Sequence, residues 1–186
     1  MALAGLFMTV YLVFHMLSNL SFFSQAAFNQ FYDLYNTGPI RWVVLLAMII
    51  AIAIHVKTAI KIRKVNAQAR TIDYAKHDKF KIPAPLVTVS IIFLLSFILI
   101  HIVQTLLFDT MQLYSELTQL FQSPIMLLFY LAGLFVLTMH LQHSLANVLQ
   151  TLGKTSVINH FLVWAGVLSL TGGFALIPLY IYFVMP

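Results

Sequence analysis

Apolar residues in this chain come in long unbroken runs, with polar residues gathered between them. A membrane-crossing helix takes roughly 20 apolar residues. Five stretches reach that length, at about 2–23, 40–60, 86–108, 124–149 and 157–184. Each predicts a helix, because a helix satisfies its own backbone N–H and C=O groups in hydrocarbon. Pro39, Pro85 and Pro124 stand near the first turns of the second, third and fourth stretches. A missing N–H costs little there. Ser123 and Ser156 read as N-caps and Gly153 as the end of the fourth helix. Pro178, after Gly172 and Gly173, is expected to bend the fifth near its outer end.

Two connections carry a helical pattern of their own. Phe28, Phe31 and Tyr35 recur at helical spacing in one, and Met111, Tyr114, Leu117 and Phe121 in the other. Each reads as a short interfacial helix lying on the membrane. The first two spans and the next two therefore form a repeat, with the fifth outside it. The fold class is all-α: an integral membrane bundle of five transmembrane helices with two short external interfacial helices. One domain covers 1–186.

Composition supports this. The chain is 61% hydrophobic and 8% charged, against about 25% charged in a soluble domain. The absence of cysteine excludes disulfides and any iron–sulfur cluster held by this chain alone. Residues 1–23 lack a basic start and a small-residue cleavage site, so they read as a retained span. The net charge of +5 is concentrated. Lys61, Arg63, Lys64, Arg70, Lys76, Lys79 and Lys81 share the connection 61–84, Lys57 snorkels toward it, and Lys154 lies between spans four and five. The other two connections hold Asp33, Asp109 and Glu116, with Arg41 their one base. By the positive-inside rule the N-terminus is cytoplasmic and the chain is multi-pass. The basic residues thus report topology, not nucleic-acid binding.

Four histidines lie within the apolar runs: His15, His55, His101 and His140. An ionisable residue in hydrocarbon is costly and points to function. The spacing repeats: His55 and His140 each follow a Pro-Ile step, Pro39-Ile40 and Pro124-Ile125, by the same interval. Spans one and three run outward, and His15 and His101 lie roughly 10–12 Å below the external boundary at ~1.5 Å per residue. His55 and His140 lie toward the inner ends of spans two and four. Depth therefore pairs His15 with His101 outside and His55 with His140 inside.

Two imidazoles at one depth on facing helices suit a six-coordinate haem b, whose porphyrin supplies the other four nitrogens. Zinc fits less well, since a structural site takes four protein ligands. Two haems b, one in each half, would carry electrons across most of the bilayer. The plain alternative is that each histidine makes an interhelical hydrogen bond. His143, one turn from His140, is its rival as a ligand; otherwise it is a propionate partner or part of a quinone site. Asn19 reads either as a partner for an outer propionate or as interhelical glue. Arg41 reads either as a contact to a propionate or quinone or as an interfacial anchor. No Asp or Glu lies inside a span. Quinone protonation would therefore draw on groups near the interface, such as Asp33, Asp109 or Glu116 outside, or His143, His160 or Lys57 inside.

Local sequence adds a resemblance. The first span, from Gly5 to Leu20 with His15 followed by Asn19-Leu20, is similar to the first haem helix of a known family. Ala27-Phe28-Asn29-Gln30-Phe31-Tyr32 also resembles a segment of that family. So do Ser123-Pro124, Phe129-Tyr130, Gly133, His140-Leu141-Gln142-His143-Ser144-Leu145 and Gln150-Thr151-Leu152-Gly153. The chain, over essentially its whole length, resembles the single-polypeptide dihaem cytochrome b membrane anchor of bacterial succinate:quinone oxidoreductases. These are the succinate dehydrogenases and fumarate reductases, complex II of the respiratory chain and tricarboxylic acid cycle. The resemblance implies that His15 and His101 bind the distal haem iron and His55 and His140 the proximal one. It implies a peripheral flavoprotein subunit carrying FAD and an iron–sulfur subunit docked on the cytoplasmic side. It also implies a quinone, menaquinone by analogy with dihaem relatives, and a place in the bacterial cytoplasmic (inner) membrane among its lipids. Ser18 and Ser144 stand where many relatives have glycine. Thr138 stands two residues before His140, where some have a carboxylate, which argues against a transmembrane proton path of that kind.

Two other readings stay open. One is a dihaem cytochrome b of another quinone-linked dehydrogenase, such as a formate dehydrogenase or hydrogenase, whose local patterns are not seen here. The other is a small non-haem transporter or helical scaffold.

The absence of native cysteine makes topology directly testable. In spheroplasts, a membrane-impermeant maleimide is expected to label Ser115→Cys from outside and Ala75→Cys only after lysis. The reverse pattern would overturn the orientation.

Overall fold

A computed structural model describes residues 2–68, 84–154 and 156–185. Helix α1 (Ala2–Leu20) passes through a 3-10 turn at Ser21–Phe23 into α2 (Gln25–Asn36). Then follow α3 (Ile40–Gln68), α4 (Ala84–Leu107), α5 (Leu113–Gln122), α6 (Pro124–Thr151) and α7 (Val157–Val184). Among the described residues α1, α3, α4, α6 and α7 are long and apolar enough to cross a membrane. The protein is thus an all-helical chain with the character of a multi-pass membrane protein. Helix α3 runs beyond the expected end near residue 60, carrying Lys61, Arg63 and Lys64 out on a continuous helix. These are good helix formers, so nothing in the sequence stops the helix where the apolar run ends. Arg70, Lys76, His77, Lys79 and Lys81 lie outside the described residues.

Local chemistry sets the helix ends. The Ser123 hydroxyl accepts from Met126 N–H at 3.5 Å and that of Ser156 from Asn159 N–H at 3.4 Å. Ser24 caps α2 in the same way, accepting from Ala27 N–H at 3.4 Å, a cap the sequence reading missed. Gly153 closes α6 at φ +69°. Its N–H donates to Gln150 O at 3.0 Å and that of Lys154 to Leu149 O at 2.8 Å. That two-bond closure needs a left-handed residue, which glycine adopts without a side-chain penalty. Pro178 is accommodated inside α7 and buried. Within the spans, hydroxyls turn back on their own helices. Thr9 donates to Gly5 O, Thr138 to Leu134 O and Thr171 to Val167 O, each at 2.8–2.9 Å. In hydrocarbon this satisfies the hydroxyl without a neighbour.

Backbone packing defines two helix pairs and a connector. Helix α1 packs along α3, and α4 along α6, while α7 packs on both α1 and α6. The other side is bridged by long side chains at both ends of α3 and α4. Arg41 Nη2 donates to Thr105 O at 3.3 Å and Arg63 Nη2 to Thr88 Oγ1 at 2.8 Å. A seam filled by side chains, the slot, therefore lies between α1/α3 and α4/α6, where Leu12 and Met16 of α1 and Leu137 and Leu145 of α6 pack against Leu141, Val167 and Leu170, with α7 behind it. One end of the bundle is closed by α2 and α5, which pack on each other, and α5 also packs on α6 and α7. Their apolar faces turn inward: Phe28 and Phe121 are buried with Phe22, Phe97, Tyr130, Ile177 and Ile181. Phe22 stacks on Tyr114 at 4.3 Å and meets Phe28 edge-on at 5.4 Å.

The α4–α6 contact depends on one glycine. A Cβ on Gly133 would come within 2.5 Å of the Phe97 ring, whereas one on Gly172 would meet nothing within 4 Å. Gly133→Ala is expected to destabilise the protein by about 1–3 kcal/mol through overpacking, with Gly172→Ala close to neutral. Thermal unfolding in detergent checks the pair.

Candidate functional site: two facing histidine pairs

The histidines meet across the slot. His15 on α1 faces His101 on α4 with ring centroids 5.9 Å apart and planes at 57°. His55 on α3 faces His140 on α6 at 6.2 Å and 74°. Each pair takes one ring from each wall. Because α1 and α3 run antiparallel, as do α4 and α6, one pair falls nearer the end closed by α2 and α5 and the other nearer the opposite end. Of the two histidines one turn apart on α6, it is His140 that meets His55. His143 is exposed and bonds Asn147 on its own helix at 3.1 Å.

Aromatic rings wall the first pair. Tyr11, one turn earlier on α1, stacks on His15 at 5.5 Å and 10°. Phe174 of α7 approaches the same ring at 5.5 Å. Phe97 lies nearly parallel to His101 at 6.4 Å and 18°. The second pair has a smaller neighbour: a Cβ on Gly5 would sit 3.6 Å from His55 Cε1. That is ordinary van der Waals contact, so α1 lies directly against that ring.

His101 is also held by hydrogen bonds. Its Nδ1 is 3.2 Å from Tyr130 Oη. The Tyr130 hydroxyl donates to Gln104 Oε1 at 2.8 Å, and Gln104 Nε2 faces Met126 Sδ at 3.6 Å. Tyr130 is buried, edge-on to Phe97 at 5.3 Å and to Phe121 at 4.8 Å. Sequence reasoning passed over both polar partners. Gln104 had a signal: it is polar, inside a span and three residues after His101, hence on the same helix face. Tyr130 had none, since only the α4–α6 packing brings it to His101.

The ring separations allow a test of fit. With a metal–nitrogen bond of ~2.0 Å and ~1.1 Å from nitrogen to ring centre, two imidazoles on opposite sides of one metal stand roughly 6.2 Å apart. The distances of 5.9 and 6.2 Å lie close to that. Among the described residues no group of three or more His, Cys, Asp or Glu forms a metal site. The donor set is thus two nitrogens per site. That matches the two axial positions a haem leaves to its protein and falls short of a closed zinc site.

The other candidate residues are engaged elsewhere. Asn19 Oδ1 accepts from the Tyr32 hydroxyl at 2.8 Å, tying α1 to α2. Burial raises the Tyr32 phenol above its usual pKa, so it keeps the proton it donates. Arg41 bridges to α4 through Thr105 and lies 5.3 Å over the Trp42 ring. His160 is in the first turn of α7, its N–H bonded to Ser156 O at 3.2 Å. Asp33 lines a cavity of ≈ 210 Å³ with Asn36, Thr37, Thr110 and Met111. A second cavity, ≈ 250 Å³, lies between α6 and α7 and includes Thr138 and Thr171.

No protein-family model matches the chain, and no curated protein and no solved structure matches it.

Tyr32→Phe removes the donor to the half-buried Asn19 and is expected to cost about 0.5–1.5 kcal/mol of stability, the net worth of a typical hydrogen bond. The thermal unfolding midpoint of the variant against wild type, in the same detergent, checks this.

Proposed function

We propose that this chain is the dihaem cytochrome b anchor of a bacterial succinate:quinone oxidoreductase. The observation that carries the reading is the pair of facing histidine couples, with ring centroids 5.9 and 6.2 Å apart. The local resemblance of the His15, Ser123–Gly133 and His140–Gly153 segments to that family supplies the name. His15 and His101 would hold one haem iron and His55 and His140 the other. Haem b supplies one-electron redox chemistry at each site. The protein's part is to hold four imidazoles in register, exclude water from the slot and set the order of the two sites across the bilayer.

In this reading the N-terminus and the basic connections face the cytoplasm, and α2 and α5 lie at the external membrane surface. The positive inner face, with Lys57, Lys61, Arg63, Lys64 and Lys154, attracts the iron–sulfur subunit and fixes its side of docking. Succinate and fumarate interconvert on the FAD-bearing flavoprotein, not on this chain. Quinone, menaquinone by the family analogy, exchanges electrons at a site this chain lines. Arg41 and Asn19 have structural partners here, which favours bracing roles for both over contact with a propionate. The exposed ring of His143 is available at the inner end.

The test is optical. Dithionite-reduced minus oxidised spectra with pyridine haemochrome quantitation are expected to give about two haems b per chain. His15→Ala, His55→Ala, His101→Ala and His140→Ala should each lose haem, and His143→Ala should keep both. A colourless wild type would overturn the proposal in favour of a transporter or scaffold. Two haems without a flavoprotein partner would move it to another quinone-linked dehydrogenase.

A further inference from the structure

His101 is held by more than ring packing. A chain of hydrogen bonds runs from its ring nitrogen to a second span and back: His101 Nδ1, Tyr130 Oη, Gln104 Oε1. A phenol has one proton. At 2.8 Å from Oε1 that proton is committed to Gln104, because a glutamine carbonyl oxygen can only accept. Tyr130 Oη must then accept from His101, so the ring proton of His101 sits on Nδ1. The amide orientation agrees, since Gln104 turns its NH₂ group toward Met126 Sδ. A thioether sulfur accepts and cannot donate.

We infer that Gln104 and Tyr130 form a relay that fixes the Nδ1–H tautomer of His101, leaving the Nε2 lone pair for the slot shared with His15. Both are positioning residues: neither is one of the paired rings, and both act through His101. The inference rests on the haem reading for its purpose, but its chemistry rests on the geometry alone. The packing makes the relay stiff. Tyr130 is clamped edge-on by Phe97 and Phe121, and Phe97 in turn lies along the His101 ring. Gln104 shares the His101 face of α4, so one helix sets two ends of the relay and α6 supplies the middle. An acceptor on the outer nitrogen of a ligating imidazole orients the ring and raises its basicity. A donating hydroxyl is also a better acceptor, because linked hydrogen bonds polarise one another.

The relay has a readout that needs no metal. The full chain, produced without haem in lipid nanodiscs and carrying ring-¹⁵N histidine, should show His101 protonated at Nδ1 and bare at Nε2. The resonance is identified by its loss in His101→Gln. Tyr130→Phe removes the acceptor, and Gln104→Leu frees the Tyr130 proton to be donated to Nδ1. Both are expected to move His101 toward the Nε2–H form. Gln104→Leu leaves the aromatic core intact and carries the test if Tyr130→Phe does not fold. An Nε2–H His101 in the wild type, or an unchanged ¹⁵N pattern in both variants, overturns the relay.

A second arm uses the haem-loaded chain. Loss of the acceptor lowers the preference of the His15–His101 haem for the ferric state by about threefold in Tyr130→Phe. That corresponds to an upward shift of about 30 mV at 59 mV per tenfold for one electron. The His55–His140 haem should not move. A wild type that binds no haem overturns the proposed function while leaving the ¹⁵N result standing. A wild type with both haems and an unchanged ¹⁵N pattern in the variants overturns the relay alone.

Discussion

Hydrocarbon offers no hydrogen-bond partner, so each polar group in a membrane span must find one inside the protein. A threonine does so by folding its hydroxyl back onto its own helix. The imidazoles of His15, His55, His101 and His140 face rings on other helices, whereas His143 bonds Asn147 on its own. The slot between α1/α3 and α4/α6 is where the four gather: a ring from each wall meets its counterpart, His101 bonds Tyr130, and α7 packs on both α1 and α6. Remove the histidines and little in the apolar pattern would tell these helices which way to face.

The packing around the slot is uneven. At the end closed by α2 and α5, aromatic rings from the 3-10 turn, α2, α4, α5, α6 and α7 fill the space, and His101 is braced by Tyr130 and Gln104. At the other end, α1 lies against His55 at Gly5, and α3 runs on as a basic helix to Gln68. A rigid aromatic end and a charged end suit different tasks. The first fixes ring orientation, and the second carries the exposed charged side chains of Lys61, Arg63 and Lys64. Arg41 and Arg63 fasten α3 to α4 across the open side, near the two ends of the slot. Long side chains are the natural tie where the helices themselves stay apart.

Asn19 illustrates how one polar residue is read differently once neighbours are known. One turn from His15, it had two readings of equal standing. The structure supplies Tyr32 from α2 as a donor, and with it a role in tying the closing helices to the bundle. His143 is similar. One turn from His140, it was the rival ligand; in the structure His140 meets the His55 ring, while His143 is exposed and bonds Asn147.

Hydropathy alone determined the five spans, because a span is a matter of length and apolarity, both local properties. Proline, serine and glycine marked helix ends within a residue or two at Pro124, Ser156 and Gly153, since capping acts over a single turn. Depth along each span was enough to match His15 with His101 and His55 with His140, because rise per residue is fixed and the helices alternate in direction. Tertiary structure alone decided the rest. It set the rotation of each helix about its axis, and hence the slot, the inward faces of α2 and α5, and the choice of His140 over His143. It also brought Tyr130 to His101, for the α4–α6 approach depends on a glycine facing Phe97 across two helices. Spans that are apolar on every side carry no stripe to say which side turns inward, so that information lies in packing between distant residues.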